Sequence, residues 1–78
     1  PFLLILNYEN LSDNPVNQYL KNNFNRLSLK SKTITQDNTE LTVEIRLNHN
    51  NADHVNMLSK IDGVKNAVLI SYNGDYVS

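Results

Sequence analysis

The feature of this sequence that most constrains its fold is a strict alternation of apolar and polar residues at positions 41–48. The apolar positions are Leu41, Val43, Ile45 and Leu47, and the polar ones are Thr42, Glu44, Arg46 and Asn48. Because successive side chains of a β-strand point to opposite faces, this pattern predicts a strand with one face on a core and one in solvent. A helix would need apolar residues every three or four positions instead.

A second strand is predicted just before it, over residues 27–34. Leu27, Leu29, Ser31 and Thr33 alternate there with Ser28, Lys30, Lys32 and Ile34. The sequence between the strands, Gln36-Asp37-Asn38-Thr39, favours a tight turn. The segment therefore predicts an antiparallel hairpin, in which Lys30 and Lys32 lie across from Glu44.

The chain opens with a continuous apolar run from Phe2 to Leu6. This run is too short for a helix, and it predicts a strand that is buried on both faces and therefore central in its sheet. Residues 7–14 are mostly polar, so we expect a loop.

Two amphipathic helices are predicted. Asn14-Pro15 is typical of a helix start, and Asn51 is the expected cap of the second helix, whose end Gly63 marks in a left-handed conformation. The predicted buried residues are Val16, Tyr19, Leu20, Phe24 and Leu27 in the first helix and Val55, Leu58 and Ile61 in the second.

A last strand is predicted at residues 67–70, and Asn73-Gly74 favours a turn that folds residues 75–77 back as a short extra strand. The element order is then β-α-β-β-α-β. We predict an α+β, ferredoxin-like (ACT-like) two-layer sandwich over residues 1–78, a single domain with both helices on one face of a four-stranded antiparallel sheet of order 4-1-3-2. Because the first strand is apolar throughout, we also expect the outer face of the sheet to contact a partner.

Composition excludes several classes of function. The 78 residues include no cysteine, which excludes disulfides and thiol chemistry, and seven basic residues against eight acidic ones disfavour nucleic-acid binding. The two glycines cannot build a phosphate-binding loop. The third strand has no aromatic residue for base stacking, and the loop after the first strand has no Arg of the kind that acylphosphatases use. We expect neither an enzyme nor a bound cofactor.

Two sets of residues are candidates for a site. His49, Asp53 and His54 are the only clustered metal-ligand side chains, but adjacent helical residues diverge, so we expect surface polar residues and no metal. The candidate interface residues are Phe2, Leu4, Leu6, Tyr72 and Tyr76.

Parts of the sequence resemble known families. Residues 29–33, 40–47, 59–64 and 69–76 resemble the C-terminal soluble part of an uncharacterised bacterial membrane-protein family whose genes often lie near those of polyphosphate-polymerase-like proteins. Residues 58–68, which contain Ile61-Asp62-Gly63-Val64, are similar to the helix-to-strand junction of ACT-like regulatory domains. The ACT-like C-terminal domain of MgtC-type proteins is a second relative in form. No catalytic residues are implied by either resemblance.

These resemblances imply a regulatory or interaction domain on the cytoplasmic side of a bacterial membrane protein. We expect it to act by self-association or by docking a neighbouring domain of its parent chain. The alternative is an ACT-like module that senses a small molecule or an ion. Amino-acid-binding ACT domains typically have a Gly between the first strand and the first helix, and this chain has none there.

Overall fold

The computed structural model of the chain describes residues 2–46 and 52–71. Its elements in order are β1 (Phe2–Glu9), a 3₁₀ turn (Asn10–Ser12), α1 (Asp13–Asn23), β2 (Leu27–Ile34), β3 (Asn38–Ile45), α2 (Ala52–Ser59) and β4 (Val64–Ser71). The predicted strand at residues 75–77 lies outside the described residues. So do Leu47, His49, Tyr72 and Tyr76.

The four strands form one antiparallel sheet in the order β2-β3-β1-β4. This is the predicted order, with β1 and β3 in the centre. The ferredoxin-like α+β architecture is therefore confirmed.

The core lies between this sheet and the two helices. Leu4, Leu6 and Tyr8 of β1 point into it and are 1% exposed or less. Residues from β3, from α1 and the position directly after it, and from α2 complete the core, namely Leu41, Val43, Ile45, Val16, Leu20, Phe24 and Leu58. Both helices therefore cover the same face of the sheet, as predicted.

The opposite face of β1 is only half-buried. Leu3 and Ile5 point away from the helices and lie outside the core cluster. The prediction of a central strand is thus confirmed. The prediction that both of its faces are buried holds fully only for the face under the helices. The strand also continues to Glu9, through residues that we predicted to be a loop, because Asn7 and Tyr8 still pair with β3 and β4.

The start of α1 differs from the prediction. The helix begins at Asp13 and not at an Asn14 cap, because the preceding 3₁₀ turn leads directly into it and the backbone N–H of Asp13 already bonds to Asn10 O. Pro15 remains in the first turn, where its missing N–H is tolerated. The helix ends at Asn23, so the predicted helical residue Leu27 belongs to β2 instead.

The hairpin contains an irregularity that the alternation did not predict. Leu29 pairs with Val43, but Ser31 pairs with Thr42, so the register shifts at Lys30. Lys30 Nζ lies 3.3 Å from Glu44 Oε1 as predicted, whereas the prediction for Lys32 is wrong. After the shift, Lys32 lies on the helix side of the sheet, opposite the buried Leu41.

Candidate functional site

Within residues 2–46 and 52–71, the sheet has one face without helices, and the centre of this face is apolar. Strand register pairs Leu3 with Ile70 and Ile5 with Val68 on this side of β1 and β4. We call these four residues the outer patch. Val68 and Ile70 are 44% and 42% exposed, and Leu3 and Ile5 are half-buried by their neighbours on both sides.

The rest of the same face is polar. The outward residues of β3 are Glu40, Thr42 and Glu44, and those of β2 include Ser28, Ser31 and Thr33. In an antiparallel sheet with one open face, the residues of each strand that point to that face are usually polar, as they are in β3. The aliphatic side chains of β1 and β4 therefore depart from the pattern of their own sheet.

The predicted interface residues do not form this patch. Leu4 and Leu6 are fully buried under the helices, so their assignment to an interface is wrong. The apolar run in the sequence does not reveal which of its residues face the helices. Phe2 is half-buried and packs against the core. Tyr72 and Tyr76 lie outside the described residues, so their role stays a prediction.

All four residues of the outer patch are site residues that sequence reasoning missed, since none of them was among the predicted interface residues. The signal was present, because both of the strands predicted to be neighbours, β1 and β4, are apolar at consecutive positions. A two-layer sandwich needs apolar residues on only one side of each strand. Pairing the two strands in register would have placed the surplus residues together.

His54 is not the surface residue that we expected. It is half-buried between the helices, with its ring centroid 4.7 Å from that of Phe24 and its Nδ1 atom 2.9 Å from the hydroxyl of Tyr19. Desolvation raises the pKa of Tyr19, and the negative charge of Asp53 raises it further. Among the described residues, no three His, Cys, Asp or Glu side chains gather as a metal site would require.

A buried hydroxyl and two charges join β1, α1 and β2. Tyr8, which is fully buried, donates a 2.7 Å hydrogen bond to Asp13 Oδ1, and Lys32 Nζ lies 3.2 Å from the same oxygen. Burial raises the pKa of Tyr8, and the Asp13 carboxylate adds to the effect. The Tyr8 hydrogen bond has the largest effect and lowers the pKa of Asp13. Desolvation raises this pKa by less, and Lys32 lowers it again. The group holds the edge strand β2 to the body of the domain.

The turn before β4 is closely packed against the 3₁₀ turn. Gly63 has φ of +92°, which confirms the predicted left-handed conformation, although α2 already ends at Ser59. Ser12 Oγ donates a 2.6 Å hydrogen bond to Asp62 O, and Glu9 N–H donates to Gly63 O at 2.9 Å. A Cβ atom on Gly63 would collide with Ser12 Oγ, so any other residue here would displace the Ser12 hydroxyl and strain the backbone.

Asn10 ties the same region to the β2–β3 turn. Its side-chain amide donates to the carbonyl oxygens of Thr35 and Gln36, and its Oδ1 accepts a 2.7 Å hydrogen bond from Thr39. An open depression of 590 Å³ lies beside these contacts. Its lining residues are Glu9, Asn10, Leu11, Gln36, Asp37, Asn38 and Lys65. It is a solvent-facing surface and lacks the apolar enclosure of a typical ligand pocket.

Fold and site together define a class of protein: a small ferredoxin-like sandwich with one sheet face covered by helices and an aliphatic patch on the other. Neither helix, in residues 2–46 and 52–71, is long and apolar enough to cross a bilayer. No known family model matches the chain, and no curated protein matches it.

Among solved structures, the chain is similar to the C-terminal domain of the MgtC protein from Mycobacterium tuberculosis, determined in solution. The TM-score is 0.65 at 17% sequence identity, and the alignment covers 99% of this chain and 92% of that domain. The resemblance to the MgtC-type C-terminal domain is therefore confirmed at the level of the fold. The resemblance to the polyphosphate-associated family stays a prediction.

Proposed function

We propose that this chain is a non-catalytic interaction domain of a bacterial membrane protein, on the cytoplasmic side, and that it binds through the outer patch. The observation that carries the proposal is the patch itself. Four aliphatic side chains, Leu3, Ile5, Val68 and Ile70, are adjacent on a sheet face that neither of the described helices covers. Contiguous apolar surface of this kind is typical of interaction sites.

The placement in a membrane protein rests on the fold. The MgtC C-terminal domain has the same architecture over nearly the whole chain. The sequence also resembles the soluble C-terminal parts of two kinds of membrane protein, the uncharacterised bacterial family and the MgtC-type proteins. The non-catalytic assignment rests on chemistry. The polar groups with short contacts, such as Tyr8, Asp13 and Ser12, are bonded to one another or to the backbone and connect elements of the fold.

Hydroxyl-radical footprinting of the full-length gene product in membranes tests this proposal. The reference is the isolated chain in dilute solution, where Val68 and Ile70 are open to the radical. We expect the outer patch to be protected in the membrane-embedded protein. Leu11 and Met57, which are 93% and 52% exposed on other surfaces, serve as controls and should stay reactive.

Equal reactivity of the outer patch in both samples would contradict the proposal, because a binding surface must lose solvent when it is occupied. If Met57 were protected while the outer patch stayed reactive, the interface would lie on the helix layer instead. Fractionation of the gene product with the soluble proteins would remove the membrane assignment.

A further inference from the structure

We infer that the outer patch is occupied by the outer patch of a second copy of this chain, with the two sheets packed face to face. This inference rests on the proposed function and identifies the partner of the same surface. The choice of a second copy follows from strand register, from charge and from the dimensions of the patch.

Register makes the patch complementary to itself. Leu3 is opposite Ile70, and Ile5 is opposite Val68, in the pairing of β1 with β4. A twofold axis that runs parallel to the strands, between β1 and β4, places β4 of one copy over β1 of the other. Leu3 of each copy then packs on Ile70 of the other copy, and Ile5 of each copy packs on Val68 of the other. Such an interface is isologous, the commonest type in homodimers.

Charge does not oppose this packing. The four patch residues are uncharged, and the nearest carboxylates on the open face, Glu44 and Glu40, lie on β3, the side away from β4. Glu44 forms an ion pair with Lys30. The whole chain has a formal charge of −1, so two copies repel only weakly. An apolar centre with charged groups at the rim is the usual arrangement of an interface.

The dimensions of the patch set the strength of the dimer. The two eight-residue strands that carry the patch, β1 and β4, cover about 10 Å by about 26 Å at the usual strand spacing and rise, and the patch takes up less than half of that length. This is well below the ~800 Å² per partner of a standard interface, so the isolated chain should form a weak dimer, with a dissociation constant in the micromolar to submillimolar range. Anchoring two copies in one membrane protein assembly would raise their effective concentration and favour the face-to-face dimer.

Sedimentation equilibrium of the chain over a wide concentration range tests the inference, with Val68→Lys as the variant and Met57→Lys as its matched control. Both positions are about half exposed, so a lysine can reach water in the monomer, and circular dichroism should show both variants folded. We expect Val68→Lys to weaken association at least about 100-fold, because the charge enters a twofold interface twice. Met57→Lys, on the helix layer, should leave association unchanged.

Cross-linking gives a second readout that does not depend on stability. The chain has no cysteine, so Val68→Cys introduces a single thiol beside the proposed axis, and Met57→Cys places one on the opposite layer. A short bismaleimide should link Val68→Cys into dimers and leave Met57→Cys monomeric.

The possible outcomes separate this inference from the proposed function. A dimer that is unaffected by Val68→Lys overturns the inference, because another surface then forms it. A strict monomer whose patch is nevertheless protected in the full-length protein also overturns it and leaves the proposed function in place, with a different partner. A strict monomer whose patch is open both in the isolated chain and in the membrane-embedded protein overturns the inference and the proposed function together.

Discussion

Replacing Gly63 with alanine tests the tightest contact in the domain. The substitution has two costs that can be estimated from the structure. An L-residue at φ of +92° is strained by about 1–2 kcal/mol. The new Cβ would also collide with Ser12 Oγ and displace the buried hydroxyl from its 2.6 Å hydrogen bond to Asp62 O. Losing that bond costs about 1–3 kcal/mol.

The expected total is therefore about 2–5 kcal/mol in the free energy of unfolding. A domain of this length has a stability of about 4–12 kcal/mol, so the loss would be a large fraction of the whole. Urea denaturation followed by circular dichroism measures the loss, and the midpoint should fall while the slope stays constant. The melting temperature should drop by at least about 8 °C.

A double-mutant cycle with Ser12→Ala separates the two costs. Ser12→Ala alone removes the hydrogen bond, and in the double variant the hydroxyl that collides with the new methyl group is gone. The loss in the double variant should therefore be smaller than the sum of the single losses by at least about 1 kcal/mol. Additive losses, or a Gly63→Ala variant within about 0.5 kcal/mol of wild type, would show that the contact between the two turns is looser than the structure indicates.

Two further predictions concern the polar contacts. Because the pKa of Asp13 is lowered in the folded state, chiefly by the Tyr8 hydrogen bond, its contribution to stability is present above the ordinary value of 3.8 and is lost as pH falls through the folded pKa. Urea titrations should thus show Asp13→Asn less stable than wild type at neutral pH, with the difference shrinking in acid; a difference that does not change with pH would refute this. Asn10→Ala removes three hydrogen bonds to the β2–β3 turn and should cost about 1–3 kcal/mol. The exposed Asn22→Ala on α1 is its control, and equal losses in the two variants would contradict a role in holding the turn.

Most of the fold could be predicted because its signals are local. The alternation of residues 41–45 fixes both the strand and its buried face, and the periodicity around Val16 and Leu20 fixes the first helix. The sheet order then follows from the connection rules. The start of α1 was harder to predict, since Asn14-Pro15 is a strong local signal that a preceding 3₁₀ turn overrides.

The details of the hairpin depend on long-range contacts. Nothing in the alternating residues of β2 marks Lys30 as the position where the register shifts. The shift brings Lys32 to the helix side, where Asp13 lies 3.2 Å away, 19 positions earlier in the sequence. The packing of His54 on α2 against Phe24, the residue that follows α1, is also a long-range contact. Pairings of this kind are set by tertiary structure, and a single sequence carries no local pattern for them.

The two sides of β1 show why an apolar run alone leaves the site ambiguous. Leu4 and Leu6 form part of the core, so their replacement acts first on stability, as for any large side chain removed from a packed interior. Ile5, between them, belongs to the open face and can be changed with much less effect on the core. A shift of one residue would exchange these roles. The register of β1 with β3 and β4 therefore decides which of its leucines and isoleucine hold the domain together and which remain available to bind.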